Sequence, residues 1–488
     1  MPFVIGLDLG TASCKAVLHS ETGSIVTIAS SACDVRAPRT GWTEQVADEV
    51  WQAAVSALSA VARSAAGRTV AGLCLSGAMH SLLPVNAQGV PLAPAMTWAD
   101  QRAVELTAAL RQSCDAHELY QRTGCPLRGT YHAARLRWWA QNPPDVRPAK
   151  FVAIKDLVLH RLIGSWVTDT SIASTTGLLD MQSGVWDPEA LSLAGVHAAA
   201  LPALVAPEAV VGGLTAEAAR ATGLPAGLPV VAGASDGGLA NWGVGALDPQ
   251  EVVVTVGTSG AVRRIEAAPR LDPLERTWCY RLLAGQWFSG GAINNGGLAL
   301  QWLRRTLYRE LSDAEGFARI FEDAATVPVG SAGLFFLPYL TGERSPYWDL
   351  PPGGLCYGLT IQHDRAHVAR AVLEGVAFCL ADVWQALSIG VARCRSARLT
   401  GGIVRSHVWR QIVADVLGVP LLVTEAADAS AVGAAWLGHL ALGHIESLEG
   451  AARAGEASVV VEPDPARHET YLSLHQRFQQ LYGCLSSV

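Results

Sequence analysis

The sequence has few charged residues, and it lacks the patterns that identify several common classes of protein. Charged residues make up 16% of the 488 positions, whereas about a quarter is usual. The net charge of −7 gives no basic excess, which argues against a nucleic-acid partner. None of the ten cysteines forms a Cys-x-x-Cys pair, and no Cys/His cluster has zinc spacing. We therefore expect reduced thiols and a cytoplasmic location.

The sequence also lacks an uninterrupted apolar run long enough for a membrane span. Hydrophobic residues make up 50% of the chain. The long uncharged stretches at 69–99, 282–303 and 324–342 are broken by Gly and by Pro, Asn or Gln. No basic segment or cleavage signal is visible at the start, so we expect no leader and no membrane contact. This length and apolar content predict two large domains with buried cores.

Two glycine turns of one design occur in this chain. The first, at 6–15, follows the apolar residues 3–5, and the second, at 255–260, follows the apolar residues 252–254. Each turn leads into a second apolar stretch, which predicts two hairpins. Exposed backbone N–H groups with small hydroxyls beside them suit phosphate oxygens. Either turn alone could be an ordinary turn, and neither has Walker A or Rossmann spacing. Together they suggest a duplicated domain that holds a nucleotide from both sides.

Two aspartates lie in glycine-rich turns at strand ends. Asp236 lies in the Gly-Ala-Ser-Asp-Gly-Gly turn at 233–238. It is a candidate general base, because phosphoryl transfer to an alcohol needs a carboxylate that takes the hydroxyl proton. The alternative is a helix cap before residues 237–242. Asp8, in the first turn, suits a Mg²⁺ ion held through water. Its alternative is a turn residue bonded to its own backbone.

A second group of polar and aromatic residues suits sugar recognition. Met79 and His80 follow a predicted strand, and a histidine there could equally be a structural residue. Trp98, Asp100 and Arg102 combine an aromatic face, an acid and a cation, and Asp100 could accept hydrogen bonds from hydroxyls. The same three residues also suit a solvated helix start with Asp100 near its cap.

Taken in order, these motifs resemble the FGGY family of carbohydrate kinases, within the actin-like ATPase superfamily. The matching segments are the Gly-x-Asp-x-Gly-Thr loop at 6–11, the Gly-Ala-Ser-Asp turn at 233–236, the Gly-Thr-Ser-Gly loop at 257–260 and the second signature at 399–411. The resemblance covers nearly the whole chain. It implies two actin-like (ribonuclease H-like) α/β domains with a cleft between them.

The resemblance also implies the roles of the two domains. We expect residues 1–247 to bind sugar and carry the first phosphate loop, and residues 248–488 to bind ATP. The cofactors implied are ATP and Mg²⁺, with Asp8 as the metal residue and Asp236 as the catalytic base. The partner implied is a small sugar or sugar acid, and a homodimer is compatible with it. The ATP-binding residues implied are Gly10, Thr11, Ser13, Lys15, Gly257, Thr258, Ser259, Gly401, Gly402 and Ser406.

Within the family, the chain most resembles gluconokinases. The segments concerned are 78–83, 97–102, 120–126, 171–178 and 291–297. The expected reaction is phosphorylation of D-gluconate to 6-phosphogluconate, with xylulokinase or another polyol kinase as the alternative. A sugar acid needs a cation for its carboxylate, and the candidates are Arg102, Arg128, Arg135 and Lys155.

Two hypotheses that place the protein in other functional classes remain open. An actin-like or chaperone-like ATPase would share the glycine loops without needing Asp236 beside a polyol pocket. A non-catalytic sugar sensor on the same fold would be expected to lose the base.

Strand and helix signals alternate along both halves of the chain, which is typical of an α/β fold. Apolar spacing predicts helices at 43–66, 152–162 and 368–389. A helix at 465–481 places Tyr471, Leu474, Phe478 and Leu481 on one face, which predicts that this tail packs on the C-terminal domain.

Overall fold

The computed structural model describes residues 2–348, 353–389, 394–424, 428–448, 450 and 459–485. Its strands, in chain order, are β1 (Phe3–Leu9), β2 (Ser13–Ser20), β3 (Ile25–Ala32), β4 (Glu44–Gln45), β5 (Val70–Gly77), β6 (Leu83–Val85), β7 (Ala95–Met96), β8 (Lys150–Val152), β9 (Val167–Asp169), β10 (Leu179–Asp180), β11 (Val185–Trp186), β12 (Ala203–Val205), β13 (Val210–Gly213), β14 (Pro229–Ser235), β15 (Glu251–Val256), β16 (Gly260–Glu266), β17 (Trp278–Leu283), β18 (Gln286–Ile293), β19 (Phe335–Leu337), β20 (Leu355–Tyr357), β21 (Ser396–Gly401), β22 (Leu421–Val423) and β23 (Val459–Val461).

The helices alternate with these strands and cover the sheets. They are α1 (Ala47–Ser64), α2 (Thr107–Ser113), α3 (Ala116–Thr123), α4 (His132–Gln141), α5 (Ile154–Ile163), α6 (Thr170–Ser174), α7 (Pro188–Ala194), α8 (Ala216–Thr222), α9 (Asp236–Gly243), α10 (Gly297–Leu307), α11 (Asp313–Thr326), α12 (Arg365–Leu387), α13 (His407–Leu417), α14 (Ala429–Ala441) and α15 (Pro465–Leu485).

Each half of the chain forms one large mixed sheet, and the two sheets share a plan. The first sheet has the order β13-β14-β5-β1-β2-β3, and the second has the order β17-β18-β16-β15-β21-β22-β23. In each, a hairpin (β1–β2 or β15–β16) extends antiparallel on one side. Parallel strands follow on the other side, β5 beside β1 and β21 beside β15. The predicted duplication of an α/β fold is confirmed.

Apolar side chains form a separate core in each half. The N-terminal core packs α1 and α5 against the first sheet, and the C-terminal core packs α12, α13 and α15 against the second. Tyr471, Phe478 and Leu481 of α15 are buried in that C-terminal core, and Leu474 packs against it, as the spacing of the tail predicts. The predicted helix at 152–162 is wrong at its start, because Val152 ends β8 and pairs with Leu83.

A close contact between α9 and α14 joins the two halves. A methyl group added at Gly433 of α14 would lie 2.0 Å from the carbonyl oxygen of Leu239, so only a glycine fits. A methyl at Gly243 of α9 would likewise lie 1.8 Å from the carbonyl oxygen of Ala429. The two backbones therefore touch. This contact fixes α9, and with it the turn that carries Asp236, against the C-terminal half of the chain.

Candidate active site

The first glycine turn joins β1 to β2 and contains Gly10 and Thr11. The Gly10 amide donates to the Ser13 carbonyl at 3.1 Å, which closes the turn. The Gln45 side chain donates to the Thr11 carbonyl at 2.8 Å and holds the turn from outside. The backbone of the turn is thus fixed by its own chain and by β4.

Asp8 lies just before this turn, half-buried on β1. Its Oδ1 accepts a hydrogen bond of 2.7 Å from the Ser76 hydroxyl. Burial raises the pKa of Asp8, and the Ser76 hydrogen bond and the Lys15 charge offset only part of that shift. The Lys15 ammonium itself forms an ion pair with Asp428 of the C-terminal half. Asp428 is a residue that the sequence motifs did not single out.

Asp236 is the first residue of α9, at the end of β14. Ser235 occupies the N-cap position, so Asp236 is not the capping residue, and its Oδ1 accepts from the Gly237 amide at 2.7 Å. Burial raises the pKa of Asp236 to about 7, the charge of Asp8 adds to the shift, and the charge of Arg263 opposes it. A carboxylate with a pKa near neutrality can accept a proton at physiological pH.

Arg263 on β16 is a second residue that the sequence motifs missed. It donates from Nη2 to the Thr255 hydroxyl at 2.8 Å and is nearly buried. Its signal in the sequence is weak, because its neighbours Arg264 and Glu266 are also charged residues of β16. It brings a cation of the C-terminal half to the carboxylate of Asp236 in the N-terminal half.

The second glycine turn lies between β15 and β16. Gly257 and Thr258 are exposed there, and a methyl group added at Gly257 would meet no atom of the described part of the chain within 4 Å. The open backbone therefore faces free space. Val256, the last residue of β15, pairs with Gly401 at the end of β21, so the two glycine segments lie side by side. Gly401 has a φ of +93°, and a side chain there would lie 2.5 Å from the Val256 carbonyl oxygen.

The remaining residues that the second signature suggests lie next to this turn. Gly402 follows Gly401 and is exposed, whereas Ser406 is buried. The Ser406 hydroxyl accepts from the Trp409 amide at 3.2 Å and caps α13. In the structure, Ser406 thus shapes the start of α13. A direct contact between Ser406 and ATP stays a prediction.

Met79 and His80 lie beside Asp236. The Met79 methyl group is 3.1 Å from the position of a methyl group added at Gly237. His80 has a φ of +65°, and its Nδ1 donates to the Thr175 carbonyl oxygen at 2.8 Å. Burial lowers the pKa of His80 well below its ordinary value. The ring is therefore neutral, and its Nε2 is left as an acceptor.

Asp100 and Arg102 form an ion pair in the wall of the cleft. Asp100 accepts from Arg102 Nε at 2.8 Å and from the Thr43 amide at 2.8 Å. Arg102 also donates to Glu44 at 2.7 Å, and its guanidinium carbon lies 3.6 Å from the centre of the Trp42 ring. Both side chains thus have protein partners, and contact between either one and a sugar stays a prediction.

A cavity of about 860 Å³ opens between the two halves. Its walls include Trp98, Asp100 and Arg128 from the N-terminal half and Thr258, Glu343 and Arg344 from the C-terminal half. Ser259 and Asn294 line it as well. The structure therefore brings the predicted aromatic and acidic sugar residues and the second glycine turn to one cavity. Its lining residues do not include Asp8, Met79, His80, Asp236, Gly401 or Gly402.

The described residues show neither a preformed metal cluster nor a membrane-spanning helix. No group of three or more His, Cys, Asp or Glu side chains within them is arranged to hold a metal ion. None of the helices in the described ranges is long and apolar enough to cross a membrane.

A duplicated α/β fold with a glycine turn in each half is typical of an ATP-dependent phosphotransferase. The chain belongs to the FGGY family of carbohydrate kinases. The model of the family's N-terminal domain matches residues 3–243, and that of its C-terminal domain matches residues 252–442. The resemblance seen in the motifs is confirmed, and the protein is an ATP-dependent sugar kinase that acts on a small-molecule sugar.

The chain is similar both to gluconate kinases and to a xylulose kinase. A gluconokinase of Bacillus licheniformis is 35% identical, and the match covers 92% of this chain and 89% of the relative. A ligand-bound xylulose kinase of Lactobacillus acidophilus has a TM-score of 0.93 at 30% identity, covering 100% of this chain and 99% of that one. A gluconate kinase of the same organism also has a TM-score of 0.93 at 30% identity, with coverage of 99% and 98%.

Proposed function

We propose that the enzyme transfers the γ-phosphoryl group of ATP to the terminal primary hydroxyl of D-gluconate and so forms 6-phosphogluconate. The observation that carries the choice of sugar is the 35% identity to a gluconokinase over 92% of this chain. A xylulose kinase of Escherichia coli is 29% identical over 98% of the chain. D-Xylulose is therefore the second candidate substrate. The solved xylulose kinase and the solved gluconate kinase have the same TM-score with this chain, so the fold does not favour either sugar.

We propose Asp236 as the general base. Its pKa of about 7 suits proton uptake at neutral pH. As the sugar hydroxyl oxygen bonds to the γ-phosphorus, the bond from that phosphorus to the ADP oxygen breaks. The hydroxyl proton passes to Asp236. Arg263 stabilises the ionised form of Asp236 between turnovers and so keeps the base ready.

The sugar is proposed to lie between Asp236 and the cavity. Met79 packs against its carbon chain, and Nε2 of His80 accepts a hydrogen bond from a hydroxyl. Trp98 offers a flat apolar face. Asp100 and Arg102 complete the wall, either by direct contact or by fixing the backbone at 97–102.

The phosphates of ATP are proposed to bind both glycine turns. Gly10, Thr11 and Ser13 supply the first turn, with Lys15 beside it. Gly257, Thr258 and Ser259 supply the second, and the exposed backbone at Gly257 supports this role. We propose that Gly401, Gly402 and Ser406 border the adenosine. The domain division at 247–248 is proposed as well, since α9 ends at Gly243 and β15 begins at Glu251.

The residues around Asp8 fit a hydrated Mg²⁺ ion. Burial raises the pKa of Asp8, and the Asp8 charge also raises the pKa of Asp236, so a cation between the two carboxylates would relieve both shifts. When bound with ATP, Mg²⁺ offsets the charge of the phosphate oxygens. Asp8 would hold the ion through water. We place the enzyme in the cytoplasm, where ATP is supplied.

A panel of acceptors in a coupled ADP assay tests the choice of sugar. The kcat/KM for D-gluconate should exceed the values for D-xylulose, L-ribulose and glycerol at the same ATP and Mg²⁺ concentrations. A preference for D-xylulose would overturn the sugar and leave the kinase class intact. ADP release that no sugar stimulates would instead favour a chaperone-like ATPase, and binding of sugar with no turnover would favour a sensor.

A further inference from the structure

Arg102, Arg135 and Lys155 are cations that could bind a sugar carboxylate, and each has strong partners inside the protein. Arg102 is paired with Asp100 and Glu44, and its side chain is almost fully buried. The buried Lys155 ammonium pairs with Asp169. Arg135 is also fully buried and donates to three backbone carbonyls, those of residues 80, 97 and 100. A substrate carboxylate would have to displace these bonds, so a different cation is better placed.

Arg344 is a cation that stands in the wall of the cavity. Its guanidinium carbon lies 4.4 Å from the centre of the Trp98 ring, so a residue of the C-terminal half stacks on one of the N-terminal half. Both residues are half-buried and line the same cavity. A guanidinium that stacks on an aromatic ring keeps its edge available for hydrogen bonds.

The bonds of Arg344 fix the side chain and leave one end of it uncommitted. Nε donates to the Asn294 amide oxygen at 2.7 Å, and Nη2 approaches the Ile293 carbonyl oxygen at 3.4 Å. Within the described ranges, Nη1 makes no hydrogen bond. The backbone amide of Arg344 donates to Glu343 Oε1 at 2.9 Å.

Glu343 supplies an acceptor next to this donor. Its side chain is buried, it lines the cavity, and its Oε2 has no hydrogen-bond partner among the described residues. A buried carboxylate oxygen without a donor is costly for the protein alone. A ligand hydroxyl would satisfy it. A free donor of Arg344 and a free acceptor of Glu343 together match a carboxylate and a hydroxyl on neighbouring carbons.

We propose that Arg344 binds the carboxylate of a sugar-acid substrate, while Glu343 accepts a hydrogen bond from the adjacent hydroxyl. This inference rests on the proposed function, because only a sugar acid carries such a carboxylate. It gives the substrate two anchored ends, with the carboxylate at Arg344 and the reacting hydroxyl at Asp236. Burial is the main cause that lowers the pKa of His80, and the nearby Arg344 charge contributes to it.

The test compares an acidic substrate with neutral ones in the same variants. Arg344→Gln should lower kcat/KM for D-gluconate by about 10- to 100-fold, the effect of losing one hydrogen bond to a charged group. The values for D-xylulose and for D-glucitol, which has a CH₂OH group in place of the carboxylate, should change less than about threefold. Arg344→Lys keeps the charge but not the planar fork, and it should fall between the wild type and Arg344→Gln for D-gluconate alone.

Arg39→Gln is the matched control, because Arg39 is an exposed arginine at the rim of the same cavity. It should leave kcat/KM for D-gluconate, D-xylulose and D-glucitol unchanged. An equal loss on acidic and neutral substrates in both Arg344 variants would overturn the inference. A selective loss of D-gluconate activity in Arg128→Gln but not in Arg344→Gln would also overturn it, and would assign the carboxylate to Arg128. If the wild type prefers D-xylulose, the proposed function itself is overturned. That result differs from the results that overturn only the role of Arg344, so the two failures can be told apart.

Discussion

Asp236 combines a half-buried carboxylate with a position close to Arg263 of the C-terminal half. Replacing it by Asn keeps the shape of the side chain but removes the proton acceptor. We expect kcat to fall by about 10²–10⁴-fold, the usual contribution of a general base. Dissociation constants for ATP and sugar should change little. Steady-state kinetics with binding measurements on the folded variant check this, and near-normal turnover would rule out Asp236 as the base.

The raised pKa of Asp236 also predicts two pH effects. Activity should decline as the pH falls below about 7, because the base becomes protonated. In the folded protein the pKa is raised from the ordinary value of 3.8, so the folded state binds this proton more tightly than the unfolded state. The Asp236 contribution to the free energy of unfolding should therefore decrease as the pH rises from about 4 to about 7. Thermal unfolding of the Asn variant across this range should lack that contribution; a difference between variant and wild type that stays constant with pH would contradict it.

Asp8→Asn should raise the Mg²⁺ concentration required for half-maximal activity, because one anionic partner of the hydrated ion is lost. Titration of Mg²⁺ at fixed ATP measures the change. Ser76→Ala serves as the control, since it removes the hydrogen bond of 2.7 Å to Asp8 but keeps the carboxylate. An unchanged Mg²⁺ curve in Asp8→Asn would make Asp8 a turn residue.

At the level of single elements, the second glycine turn gives a selective test of phosphate binding. Among the described residues, a methyl group at Gly257 meets no atom within 4 Å, so Gly257→Ala should leave the melting temperature unchanged. It should raise KM for ATP more than KM for sugar, since the methyl would occupy the space of the phosphates. Gly353→Ala is the control, because a methyl there also meets none of the described atoms within 4 Å. Equal losses of sugar and ATP affinity would show that the turn has a structural role and does not bind the phosphates.

The α9–α14 contact predicts the opposite behaviour. Gly433→Ala would place a methyl 2.0 Å from the Leu239 carbonyl oxygen, so the helices must move apart. We expect a lower melting temperature and a lower kcat, because α9 carries Asp236. Gly483→Ala in α15 is the matched helical control, since its methyl meets none of the described atoms within 4 Å. It should be neutral or stabilising by about 1 kcal/mol. Equal melting temperatures for the two variants would contradict the role of this contact.

The sequence predicted those elements whose signal is local. The hairpins β1–β2 and β15–β16 follow from apolar strands around glycine turns, and the face of α15 follows from helical spacing. Val152 was assigned to a helix because a short apolar strand that leads into a helix has the same composition. Arg263, Asp428 and Arg344 could not be assigned to the site, because their neighbours are distant in the chain. The partners of Arg102 likewise appear only once the chain is folded.

For the whole molecule, the cleft predicts coupling between sugar and ATP. The second glycine turn and Trp98 line the same cavity from opposite halves, so a bound sugar helps to exclude water from the phosphates. ADP formation without sugar should therefore be much slower than with D-gluconate. A coupled assay with and without sugar measures this ratio. Comparable rates in the two conditions would contradict a cleft that depends on sugar.

The backbone contact between α9 and α14 also determines how the halves can move. Gly243 of α9 and Gly433 of α14 each lie against the backbone of the other helix, so the two helices cannot slide past one another. Asp236 lies at the start of α9, which this contact holds in place, whereas Trp98 and Arg344 meet across the cavity. We expect any opening of the cleft to separate Trp98 from Arg344 far more than it displaces Asp236. The enzyme would then admit its substrate at the end away from the base, without disturbing the geometry on which the proton transfer depends.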